Sequence, residues 1–283
     1  MRANSEVTLS NVDRPFQEIY AREPLEYREG VPIFSKSDWY TKNYEKISAD
    51  HLSSLFQSGE NPFIKEELWV ELEDSTARLV TKYAKSGDTI LDVGVGLGRL
   101  LSRFPTLQRY GMDISMSYLG IAKSKGINVC LADIEDMPYK IKLFDIVVCT
   151  DVLEHVIDLN YCLRNILDVL KAGGILIARV PYREDLSSYL QPDYPYEFAH
   201  LRNFDEHSLT LLFQRIFSRT KLLEWVTVGY VLGTSRLKYR LPFGELTFVR
   251  IVRRVRLLSS ALFKALVPRL FLPVEINVAV RKQ

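Results

Sequence analysis

Residues 90–98 read Ile90-Leu91-Asp92-Val93-Gly94-Val95-Gly96-Leu97-Gly98, and the fold turns on this stretch. Two aliphatics and Asp92 ahead of three alternating glycines describe a buried strand that ends at a carboxylate and turns sharply. Without Cβ atoms, such a turn lets backbone approach a ligand to contact distance. The N–H groups that follow would open a helix and face that ligand. Glycine-rich turns also serve plain chain reversal, so the flanking sequence carries the argument.

Outward from this turn, strands are expected at 89–93, 108–112, 127–131, 144–149 and 174–180, with helices near 98–104, 115–125 and 157–171. A leading helix from Lys65 to about Lys85 rests on Leu68, Leu72, Leu79, Val80 and Tyr83 at helical spacing. A helix from Asp205 to about Phe217, a strand at 221–230 and a last strand from Val274 to Arg281 follow. Short apolar strands alternating with helices imply a parallel sheet covered on both faces. The expected fold is therefore α/β: a Rossmann-like, doubly wound, mostly parallel seven-stranded sheet with an antiparallel edge strand. Ligands in such sheets bind at the carboxyl ends of the strands, where strand order reverses. Residues 1–64, interrupted by Pro15, Pro24, Pro32 and Pro62, read as an irregular or helical extension, a candidate lid. Residues 65–283 read as the domain, with a basic amphipathic insertion at about 236–272.

Composition narrows the class. Hydrophobic content of 47% and charged content of 25% in 283 residues suit a soluble globular protein, and a formal charge of +2 gives no reason to expect nucleic acid. Cys130, Cys149 and Cys162 lack paired spacing, and the first two sit in apolar runs. They read as buried thiols rather than a disulfide or a metal site. The N-terminal stretch has no apolar core like that of a secretory signal, and no run reaches the roughly 20 apolar residues of a membrane span. The expected location is cytoplasmic.

Asp113 ends the second strand, where a dinucleotide fold places an acid on the ribose hydroxyls. Position and context favour that role, and it could also cap the helix that follows. The glycine order G-x-G-x-G differs from the G-x-G-x-x-G of nicotinamide sites. Asp92, two residues before the first glycine, would repel a pyrophosphate and suits a cationic ligand.

Ile90–Gly98, Asp113, Ala132-Asp133-Ile134-Glu135-Asp136-Met137-Pro138, Phe144-Asp145-Ile146-Val147 and Leu170-Lys171-Ala172-Gly173-Gly174 resemble, in order and spacing, the motifs of class I S-adenosylmethionine-dependent methyltransferases. The resemblance covers about residues 65–230. Leu153-Glu154-His155-Val156 and the Gly173-Gly174 turn look like the small-molecule branch that includes ubiquinone-pathway and sugar methyltransferases. The resemblance implies S-adenosylmethionine as cofactor. Gly94, Gly96 and Gly98 would pack on its methionine part, with Asp92 near its ammonium and Thr150 at the same end. Asp113 would hold the ribose, Ile114 would lie beside the adenine, and Asp133 with the Ile134 N–H would meet the base. Asp145, at the opposite end of its strand, reads as structural.

Methyl transfer is an in-line displacement, for which an enzyme supplies alignment and, for a hydroxyl nucleophile, a base. His51 and His207 read as surface residues. His155 follows the fourth strand toward the active end. His200 lies in the segment 181–204, with Tyr182, Tyr189, Tyr194, Tyr196, Phe198 and Arg202 forming an aromatic wall with a basic group. His200 and His155 are the catalytic candidates, each with a buried structural role as rival. An amine acceptor would need no base.

Between Arg236 and Leu272 stand nine Lys or Arg and one acid, Glu245. On a helical wheel of 248–266 the arginines and leucines separate, the pattern of a helix on an anionic membrane or of one packed on its own domain. The expected activity is methylation of a small-molecule or lipid-linked hydroxylated acceptor, on oxygen first. Its alternatives are an RNA-modifying methyltransferase and a cofactor-binding protein without catalysis. Peripheral membrane contact through 248–266 is expected only on the first reading.

Overall fold

The computed structural model describes residues 19–232 and 271–283. The basic stretch 248–266 lies outside the described residues. In chain order the elements are β1 (Glu26–Arg28), β2 (Val31–Ile33), α1 (Trp39–Ser58), α2 (Glu66–Tyr83), β3 (Thr89–Val93), α3 (Arg99–Ser102), β4 (Gln108–Asp113) and α4 (Met116–Ser124). Then come β5 (Asn128–Leu131), β6 (Phe144–Thr150), α5 (Leu159–Val169), β7 (Leu170–Pro181), α6 (Glu206–Leu211), β8 (Thr220–Leu232) and β9 (Phe271–Lys282).

Among the described residues, nine strands join one sheet in the order β1-β2-β5-β4-β3-β6-β7-β9-β8. Its central strands are parallel, while β9 runs antiparallel between β7 and β8. The seven-stranded core is therefore as expected, and two further strands extend it. They come from the N-terminal extension, whose β1–β2 hairpin pairs β2 to β5 at Ile33 and Leu131. Three-residue strands carry too little periodicity to stand out in sequence.

Strand direction dictates the layers. In β3, Ile90 packs with α2, α3 and α4 through Leu79, Leu101 and Leu119, while Leu91 faces the opposite layer with Leu163 and Ile166 of α5. Both faces are covered, so β3 and β6 are almost wholly buried. The chain winds from β3 through β4 to β5 on one side, then from β6 outward on the other. The order reverses between β3 and β6, which leaves a crevice above their carboxyl ends.

Helix ends follow local chemistry. Asp38 caps α1 in a reciprocal box with Thr41, and Gly59 closes it in the left-handed conformation at φ 74°. Asp205 and Ser208 form the same box at α6. At the far end of the sheet Asp145 accepts from Thr89 N at 2.9 Å and pairs with Lys171 at 2.8 Å, a structural role. Among the described residues, no helix is long and apolar enough to cross a membrane.

Candidate functional site

A cavity of about 1710 Å³ opens above the β3–β6 junction. Its floor begins with the glycine turn. Gly94 N and Val95 N both donate to Met112 O, at 2.8 and 3.0 Å, which ties the turn to β4. Gly94, Gly96 and Gly98 all have positive φ, at 76°, 50° and 67°. Their roles differ. A Cβ at Gly94 would meet Val152 at 2.3 Å, and one at Gly98 would meet Ile127 at 2.6 Å and Ala122 at 3.1 Å. A Cβ at Gly96 would enter open space. Gly94 and Gly96 line the cavity, whereas Gly98 turns away to pack on α4, so the expected ligand contact of Gly98 becomes a packing role.

Asp92 lies beneath this turn, 2% exposed, and its Oδ1 has no hydrogen-bond partner. Burial, then the neighbouring Asp113, pushes its carboxyl well above the ordinary carboxylate range, while Arg179 pulls it down. A buried acceptor without a donor is costly, and a bound cation or N–H group would satisfy it. Asp113 uses both oxygens on backbone: Oδ2 accepts from Gly96 N and Oδ1 from Ser115 N, each at 2.9 Å. Asp113 thus fastens the glycine turn and the residue that opens α4 while lining the cavity, and Ser115 rather than Asp113 is the N-cap of α4. Asp133 Oδ1 accepts from Glu135 N at 2.8 Å, and Asp133 N donates to Ser35 Oγ at 2.9 Å. Ile114, Asp133, Ile134 and Thr150 line the same cavity. The open Gly96 turn, the orphaned Asp92 oxygen and these walls fit S-adenosylmethionine.

Opposite the turn lies a cluster of titratable side chains. The ring centroids of His155 and His200 are 4.6 Å apart. His155 Nδ1 lies 3.2 Å from Ala199 O and 3.0 Å from the Tyr44 hydroxyl. A carbonyl only accepts, so Nδ1 carries the proton. Burial and His200 lower the His155 pKa to about 4, so this ring is neutral near pH 7. His200 Nδ1 is bonded to Glu184, and Tyr189 Oη lies 3.1 Å from the same nitrogen. A carboxylate on Nδ1 holds the proton there and leaves Nε2 as the basic nitrogen. The ligand-capable atoms of Glu154, His155 and His200 all lie within 4.8 Å of one another.

Further carboxylates complete the floor. Asp151 at the end of β6 adopts φ 57°, unusual outside glycine, and its carboxylate pairs with the buried Arg179. Arg179 also pairs with Glu275 on β9. Burial and Asp151 push Glu275 up to about 8, against the pull of Arg179.

Several residues differ from their sequence reading. His51 is buried and lines the cavity rather than the surface; its Nδ1 lies 2.6 Å from Tyr118 Oη and its Nε2 has no partner. His207 is exposed, as expected. Phe198 stacks on Tyr40 of α1 at 5.6 Å, and Arg202 donates to Leu153 O and Ile157 O, so neither joins the cavity wall. Tyr182, Tyr189, Tyr194 and Tyr196 do. Cys130, Cys149 and Cys162 are buried free thiols.

Tyr44, Ser48, Arg179, Glu184 and Glu275 were not singled out by sequence. A signal existed for α1: Tyr40, Tyr44, Ile47, Ser48 and His51 line the cavity at one-face helical spacing. Arg179 and Glu275 meet only through β7–β9 pairing, which leaves no local mark.

Residues 91–178 match the family model described as a methyltransferase domain. A SAM-dependent methyltransferase structure from Thermotoga maritima superposes with a TM-score of 0.54 at 18% identity, over 86% of this chain and all of that one. In sequence, the chain is 30% identical over 164 residues to a mitochondrial protein of Danio rerio named as an arginine-hydroxylase, covering 56% of this chain and 48% of that protein. It is 35% identical over 119 residues to a ubiquinone biosynthesis O-methyltransferase of Bradyrhizobium sp., covering 38% and 47%. The chain spans about half the length of these curated relatives. Together these findings define the class as far as a methyltransferase domain over residues 91–178, on a fold shared with a SAM-dependent methyltransferase structure.

Proposed function

We propose that the protein transfers a methyl group from S-adenosylmethionine to a hydroxyl of a small-molecule or lipid-linked acceptor. The observation that carries this reading is one cavity with two chemically distinct ends. Asp92, Gly96 and Asp113 form the end suited to a cationic nucleoside; His200, Glu184 and the tyrosines form the other.

S-adenosylmethionine, when bound, supplies an electrophilic methyl on a sulfonium. The surrounding residues then act as follows. Asp113 orients the ribose, Asp133 and Ile134 meet the base, and Asp92 offers its spare oxygen to positive charge. His200 accepts the hydroxyl proton at Nε2, and Glu184 on Nδ1 stabilises the imidazolium that forms. Tyr189 and Tyr194, with ring centroids 5.2 Å apart, exclude water from that end. His155 is held neutral and serves to position the cluster.

The distinguishing experiment incubates the protein and methyl-labelled cofactor with cell extract, then separates lipid, small-molecule and RNA fractions. Label in the small-molecule or lipid fraction, lost on His200→Ala, is expected. Label in RNA, or cofactor binding with no transfer, would overturn the assignment.

A further inference from the structure

Glu154 has no use in the scheme above. It is 0% exposed, lines the cavity, and neither carboxylate oxygen has a hydrogen-bond partner among the described residues. Nearby groups do not answer its charge. Arg179 is taken by Asp151 and Glu275, Glu184 is committed to His200 and Tyr189, and the neutral His155 ring stands 3.9 Å from Glu154 Oε1. Burial followed by Asp151 raises the Glu154 pKa well above its ordinary range, so the carboxyl is neutral when alone and ionises when a positive partner arrives.

Asp92 shows the same signature at the cofactor end, where a sulfonium and an ammonium would answer it. Glu154 belongs to the imidazole cluster, so its counterpart arrives with the acceptor. We infer that the acceptor carries a protonated amine that docks on Glu154, close to the hydroxyl that His200 deprotonates. The inference rests on the proposed methyl-transfer reading and narrows its substrate class. Since the ligand-capable atoms of Glu154 and His200 lie within 4.8 Å, hydroxyl and ammonium sit close together on the acceptor. The class is an amino alcohol with the two groups near each other, amino sugars included. The tyrosine faces flanking the cluster add cation–π attraction to the ammonium and stacking area for the rest of the molecule.

The test is calorimetric, on the full chain saturated with S-adenosylhomocysteine. The probes are 2-amino-1-phenylethanol and its isostere 1-phenyl-1,2-ethanediol, in which a hydroxyl replaces the amine. The amine should bind at least about tenfold more tightly. In Glu154→Gln, which keeps shape and removes charge, the preference should shrink to within about twofold while S-adenosylhomocysteine affinity stays unchanged. Equal binding of the two probes, no binding of either, or a preference that survives in Glu154→Gln would overturn the inference. So would stoichiometric Zn²⁺ binding, lost in Glu154→Gln, since Glu154, His155 and His200 would then serve a metal. The wild-type probe comparison stands even where the variant fails to fold. Failure of S-adenosylhomocysteine itself to bind would instead strike the proposed function.

Discussion

Asp113 holds two backbone amides while facing the cofactor cavity, so its removal acts on both loop and ligand. Asp113→Ala should weaken S-adenosylhomocysteine binding by roughly 10–100-fold, the worth of one or two charge-assisted hydrogen bonds; unchanged affinity by calorimetry would refute its placement. Its pKa is also raised, mainly by burial, to about 6. Protonation therefore favours the ligand-free fold at low pH, and that contribution is lost as pH climbs through about 6. Ligand binding uses the ionised form and runs the other way. Affinity should tighten between about pH 5 and about pH 7, and Asp113→Asn should flatten the profile. The glycines separate cleanly. Gly98→Ala places a Cβ 2.6 Å from Ile127 at positive φ, and denaturant unfolding should show a loss of about 2–4 kcal/mol. Gly96→Ala meets no protein atom, should cost about 1 kcal/mol in stability, and should still obstruct cofactor binding. All three glycines were legible in sequence. Which of them faces ligand was not, because neighbours distant in the chain decide it.

Helix α1 joins the two ends of the cavity. Ser48 Oγ lies 2.7 Å from Ser115 Oγ beside the cofactor end, and Tyr44 Oη reaches His155 and Ala199 at the proposed acceptor end. Asn43 grips the same segment, donating to Phe198 O at 2.9 Å and accepting from Glu197 N at 3.1 Å. Tyr44→Phe removes one shared hydroxyl, so stability should fall by only about 1 kcal/mol. Amide exchange over 197–201 should rise in that variant, and label transfer should drop more than cofactor affinity; unaltered exchange would argue against α1 as the clamp. The parallel strands β3 to β7 were legible because each is a short apolar run between helices. The β1–β2 hairpin was not: Val31 and Ile33 are buried by joining the hydrophobic cluster on one sheet face, where Ile33 pairs with Leu131 of β5. Helix α1 was legible only as "irregular or helical", since the face it turns to the cavity is polar and aromatic rather than aliphatic.

At the scale of the molecule, cofactor binding should stabilise the fold by mass action. At a ligand concentration 100 times Kd, S-adenosylhomocysteine adds about 2.7 kcal/mol, roughly 5–10 °C in thermal midpoint for a chain of this size. A scan that shows no shift would contradict the cofactor assignment. From sequence alone came the doubly wound sheet, the donor end of the site and the buried thiols, because each rests on local patterns: strand period, glycine spacing, an acid at a strand tip. The rest of the cavity, with the imidazole cluster, was decided by tertiary structure. His51, Arg179, Glu184 and Glu275 reach the cavity through α1, β7, the segment after it and the antiparallel β9, and contacts across such distances leave no periodicity to read. The turn at Gly94–Gly98 announced which cofactor the domain takes. The charge and shape offered to the acceptor exist only once the chain has folded around Glu154 and the two imidazoles.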